Sequence, residues 1–102
     1  MDINKLMKQA QQMQVGMQKA QEDLAVKTVE ASVGGGKVIV VATGAGDVQD
    51  IKIDPSIIDP DDAEFLQELV LKGVQEAITK GKEMASGEMS KLTGGLNIPG
   101  LG

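Results

Sequence analysis

The chemistry open to this chain is set first by its ten basic residues, all of them lysine. An ammonium group is a compact point charge that meets phosphate or carboxylate oxygens one at a time, without the planar fork of a guanidinium. Lys5 and Lys8 lie near the start of the chain, Lys80, Lys82 and Lys91 near its end, and Lys19 and Lys72 farther in from each. The carboxylates are distributed differently. From Asp47 to Glu68 eight of them stand against Lys52 alone, a local net of −7, whereas from Ile3 to Gln21 there are three lysines and no acid. The overall charge of −5 argues against a polyanionic partner, but this distribution leaves one open to the chain ends.

Other chemistries are closed. There is no Cys and no His, which removes disulfides, thiolate chemistry and the common transition-metal ligands together. Carboxylates can serve as general acids and bases, yet without His, Cys, Tyr or Arg nothing orients a reacting group, so no enzyme is expected. Gly34-Gly35-Gly36-Lys37 lacks the phosphate-loop pattern, since Ala31 replaces its first glycine and Val38 its hydroxyl residue. Gly44-Ala45-Gly46 fails the dinucleotide pattern at Gln49, and both stretches read as turns. The acids from Asp59 to Glu64 lack the glycine that a calcium loop needs at its sixth position and read as helix-start chemistry. No cofactor or metal is implied.

The elements that position the lysines follow from periodicity. Ile3, Leu6, Ala10, Met13, Met17, Ala20 and Leu24 alternate in steps of three and four, a heptad seam that suits one partner helix. Asp2 or Asn4 can cap this first helix, which should end near Leu24 or Ala25. From Val26 the period becomes two, and three strands follow: one carrying Val29, Ala31 and Val33, a continuous apolar one at 37–43, and one at 48–54. They form an antiparallel meander whose middle strand is expected to be covered on both faces. Asp54-Pro55-Ser56 is a stop, after which Ile57 and Ile58 should return to the sheet. Asp59-Pro60 opens a second long helix running from Pro60 to Ala85 or beyond, with Glu68–Lys72 and Glu76–Lys80 as favourable pairs.

The apolar stripe of that helix is broad through Ala77 and Ile78, then thins to Gly81, Met84, Ala85, Met89 and Leu92. Two narrow seams therefore face each other: residues near 1–13 and near 80–92 are expected to pair as an antiparallel arm past the sheet. That arm carries a local net of +2 beside an acidic body. The fold class is α+β, with residues 1–92 as one domain and 93–102 as a flexible Gly/Pro tail. Phe65 is the lone aromatic, which rules out base-stacking platforms. No apolar run reaches a membrane span and no signal peptide is evident, so a cytoplasmic protein is expected. Small size and an apolar central sheet point to a dimer.

The run from Asn4 to Gln14, then Met17-Gln18-Lys19 and Gln21-Glu22, resembles the opening helix of the YbaB/EbfC family of bacterial nucleoid-associated proteins. Ile53-Asp54-Pro55-Ser56, the acids before Leu66, Leu69-Val70 and the Gly/Pro tail stand in the family's order. The resemblance implies an αβββα subunit, an obligate homodimer, paired helical arms likened to tweezers, and duplex DNA binding of little sequence preference. It also implies a role in nucleoid organisation or gene regulation, with no membrane or small-molecule substrate. Where family members often carry Arg in the second long helix, this chain has Thr79-Lys80-Gly81-Lys82, so contact would be directed at phosphates rather than guanine edges. Lys5, Lys8, Lys80, Lys82 and Lys91 are the leading DNA-contact candidates, with Lys19 and Lys72 behind them. A rival reading is an acidic dimeric adaptor that grips another polypeptide with its Met-rich arms.

Overall fold

In the computed structural model, which describes residues 2–94, the chain runs α1 (Ile3–Val26), β1 (Thr28–Val33), β2 (Val38–Thr43), β3 (Val48–Ile53), two short 3-10 turns and α2 (Ala63–Gly94). Asp2 caps α1 by accepting from the backbone N–H groups of Asn4 and Lys5, satisfying donors that the first helical turn leaves without partners. The three strands form an antiparallel sheet in the order β1-β2-β3, with Ala31 opposite Val40 and Val40 opposite Ile51. The β1–β2 turn runs through Gly34, Gly35 and Gly36, all at positive φ, a conformation L side chains resist. Gln49 is the extra residue of a bulge, because Val41 pairs with Asp50 and Ala42 with Val48.

Ala31, Val33, Val38, Val40, Ala42 and Ala77 form the buried core, and Leu69, Val70 and Val74 of α2 pack against it. Alternation explains the arrangement: Val38, Val40 and Ala42 project to the face that α2 covers. The middle strand differs from expectation on its other face. Ile39 and Val41 are only half-buried there, since a sheet with both helices committed elsewhere has no third layer to cover it.

The segment after β3 also departs from the periodicity reading. Asp54 Oδ1 accepts from Ser56 N–H at 2.9 Å, the expected stop, and Pro55–Ile57 forms a 3-10 turn. Ile57 packs on the core, whereas Ile58 remains 52% exposed. Asp59 caps a second 3-10 turn, Pro60–Asp62, instead of α2 itself. The α-helix starts at Ala63, where Asp62 Oδ1 accepts from Phe65 N–H. The helix-start signal is real, but its first turn is wound more tightly. At the other end α2 continues to Gly94; the expected tail otherwise falls on residues 95–102, outside the described ones.

Both helices are seated at one point, the β2–β3 turn. Gly44 N–H donates to the carbonyls of Leu24 and Lys27, tying the end of α1 to the turn. Leu24, only 4% exposed, fills the space beside Gly44. On α2, a side chain at Gly81 would overlap the carbonyl oxygen of Thr43, so only glycine lets this helix approach so closely. From that junction the helices leave together, and the molecule measures 71 × 26 × 16 Å along its principal axes.

Candidate nucleic-acid interface

The arm forms as expected in kind but not in register. Leu92 lies beside Gly16, and Glu88 reaches both Lys27 and Lys91. Residues 16–26 of α1, with Lys27 just after it, therefore face 81–92 of α2, with Gly16, Ala20 and Leu24 turned toward the partner helix. The expected pairing of 1–13 with 80–92 is displaced because Gly81 and Leu24 meet at the same turn, which sets the height at which the two helices begin to pair. Antiparallel continuation from Gly16 opposite Leu92 carries residues 3–13 beyond the described end of α2. Ile3, Leu6, Met7 and Met13 are exposed on this stretch.

The candidate lysines fall in three zones. Lys5 and Lys8 occupy the projecting end of α1, both exposed. Lys19 and Lys91 line the cleft between the helices, and Lys91 Nζ lies 3.9 Å from Glu88 Oε1. Lys72, Lys80 and Lys82 lie on α2 nearer the sheet, all three exposed. Lys80 is tethered: its Nζ donates to the carbonyl of Glu30 on β1 at 3.0 Å. That bond uses an edge-strand acceptor that has no strand partner of its own. Neither Glu68–Lys72 nor Glu76–Lys80 forms an ion pair among the described residues, so the two expected helix pairs are not made. The structure does not bring the seven lysines into one cluster.

Two lysines outside the candidate set have defined partners. Lys37 Nζ donates to Asp54 Oδ2 at 3.2 Å, closing the start of β2 against the end of β3. The Asp54 carboxyl is held below the usual carboxylate range, chiefly by hydrogen bonds from Ser56 and then from Lys37. Lys27 Nζ donates to Glu88 Oε1 at 3.3 Å across the arm. Sequence spacing carries no signal for Lys27, since its partner lies 61 positions away. No group of three or more His, Cys, Asp and Glu among the described residues is placed to hold a metal ion, and no described helix is long and apolar enough to cross a membrane.

A meander packed on one long helix, with a second helix beside it forming a basic-tipped arm, defines a small α+β protein with a projecting helical arm. The YbaB/EbfC DNA-binding family matches residues 1–96, and the chain belongs to that family, which is not an enzyme family. It is 57% identical over 101 residues to a nucleoid-associated protein of Acetivibrio thermocellus, covering 98% of this chain and 89% of that one. A nucleoid-associated protein of Akkermansia muciniphila is likewise 57% identical over 103 residues, covering 100% of this chain and 99% of its own. The fold matches that of a solved but uncharacterized protein of Helicobacter pylori with a TM-score of 0.77. That match is 22% identical and covers 91% of this chain and 98% of the other.

Proposed function

We propose that the protein is a homodimer that binds duplex DNA through backbone phosphates with low sequence specificity, acting at the nucleoid in the cytoplasm to organise it or to modulate transcription. The observation that carries this reading is the projecting end of α1, which holds Lys5 and Lys8 with no acid from Ile3 to Gln21, in a chain whose family is DNA-binding. Relatives more than half identical to it are named nucleoid-associated proteins. Distance from the acidic body matters. Charges separated by more than about 8 Å are largely screened at physiological salt, so Lys5 and Lys8 on the projecting end are shielded from the carboxylates of residues 47–68. With no Arg in the chain, bidentate guanine contacts are excluded and phosphate contacts dominate.

The half-buried Ile39 and Val41, together with the unpaired edges of β1 and β3, supply surface for a second subunit. Sedimentation equilibrium should give a dimer at micromolar concentration; a stable folded monomer there would contradict this part. The DNA reading is tested by gel shifts on two duplexes of unrelated sequence, comparing the wild type with Lys5, Lys8, Lys80 and Lys82 all changed to Ala. The wild type should shift both duplexes similarly, and the variant should shift neither at moderate salt. Undiminished binding by the variant would refute the arm as the contact surface. A stoichiometric protein complex that survives nuclease digestion of a lysate, with no duplex binding, would favour the adaptor reading suggested by the exposed Leu6, Met13 and Met17.

A further inference from the structure

The cleft between the two helices, about 390 Å³ in volume, is bounded by three lysines and two carboxylates: Lys19, Lys27 and Lys91 with Asp23 and Glu88. Their arrangement is not symmetrical. Glu88 Oε1 lies 3.3 Å from Lys27 Nζ and 3.9 Å from Lys91 Nζ, so one carboxylate oxygen engages an ammonium group from the residue that caps the end of α1 and another from α2 itself. It is also the most covered member, with its side chain 33% exposed against 52% for Lys27 and 79% for Lys91. Lys19 enters no ion pair with an acid among the described residues. An anionic oxygen thus already occupies the place where two lysines converge and a third stands near.

We propose that this cleft is a phosphate seat for the DNA backbone, in which Glu88 occupies the phosphate's place in the free protein and is displaced when a phosphodiester binds. The inference rests on the DNA-binding reading above and adds to it a site, Lys19–Lys27–Lys91, and a built-in competitor. Chemistry favours the exchange. Ion pairs as exposed as these contribute little to the fold, so their ammonium groups can be given up to a ligand. A phosphodiester shares one negative charge over two nonbridging oxygens, which Lys27 and Lys91 can meet separately, whereas both now meet the same oxygen of Glu88. Asp23 remains in the cleft and limits its charge, so the site is tuned to a single phosphate contact and is weak without Lys5 and Lys8 beyond it.

Fluorescence anisotropy with a labelled duplex, titrated across a salt series, separates the possibilities. Glu88→Gln should tighten binding about threefold or more at low salt, because Lys27 and Lys91 no longer have to leave a carboxylate, and should leave the log-log salt slope nearly unchanged, because the same phosphate is engaged. The same charge change on the body, Asp50→Asn, should leave affinity nearly unchanged. Adding Lys27→Ala and Lys91→Ala to Glu88→Gln should abolish the gain, and thermal melts should show that each variant is folded. Equal gains from Glu88→Gln and Asp50→Asn would overturn the site in favour of bulk charge, as would no gain from Glu88→Gln while the wild type binds. Failure of both the wild type and Glu88→Gln to bind DNA would overturn the DNA-binding reading itself, and the site with it.

Discussion

Gly81→Ala tests the junction on which the arm's geometry depends. The added methyl group would overlap the Thr43 carbonyl oxygen, with the carbonyl carbon at 3.3 Å. The obstacle is backbone rather than a flexible side-chain end. Thr43 N–H donates to the Asp47 carbonyl at 2.8 Å, and Thr43 O accepts from Gly46 N–H at 3.0 Å, so the turn is braced on both sides. Accommodating the methyl group therefore requires α2 to lift from the sheet, disturbing Ala77 one turn earlier in the fully buried core. Overpacking of this kind costs roughly 1–3 kcal/mol, and a braced backbone puts the site at the upper end of that range. Replacing an interior helical Gly by Ala returns about 1 kcal/mol. The net loss is about 2 kcal/mol, or a fall in Tm of roughly 8–15 °C for a domain of this size. Gly87, on the same helix, has nothing within 4 Å of its would-be Cβ, so Gly87→Ala should stabilise by up to about 1 kcal/mol. Melts at one fixed protein concentration, required because the proposed dimerisation would make Tm concentration-dependent, read both variants. Equal stability of the two variants would refute the close approach at Gly81.

Leu24→Ala, which empties a nearly fully buried position between α1 and the β2–β3 turn, should cost about 2–4 kcal/mol in urea unfolding. An NMR titration of Asp54 should give a pKa below the ordinary Asp value. Its folded pKa is depressed, so the stability it contributes is present above about pH 4 and lost as pH falls through the folded value. Lys37→Ala should raise that pKa only partway, because the Ser56 hydrogen bonds remain as the larger cause.

Much of this fold is legible locally. Asp2 as a cap, the alternation of Val29, Ala31 and Val33, the Gly34–Gly36 turn and the Asp54-Pro55-Ser56 stop all act within a few residues, and each appears where its chemistry places it. What local patterns could not set is the register of the arm. The seam from Ile3 to Leu24 indicates that α1 has a helix-facing side, but α2 meets only its C-terminal end, at Ala20 and Leu24 with Gly16 beside them. That choice follows from Gly81 on Thr43 and Leu24 on Gly44, contacts between elements distant in sequence. Charge behaves similarly. The lysine-rich ends are visible by inspection, whereas the tether of Lys80 to β1 and the pairing of Lys27 with Glu88 require the folded chain. Asp23, in the last turn of α1 where the helix dipole disfavours an acid, lines the cleft beside Lys27 and Glu88.

The central claim is that lysines on the arm, not the protein as a whole, meet the DNA backbone. Its most direct measurement is the salt dependence of duplex affinity for the wild type and for a variant with Lys5, Lys8 and Lys82 changed to Ala, three exposed lysines whose ammonium groups have no hydrogen-bonded or ion-paired partner among the described residues. The log-log slope should become shallower by about 0.9 for each of these lysines that meets a phosphate, roughly 2–3 in all per subunit engaged. A slope equal to that of the wild type would contradict the claim.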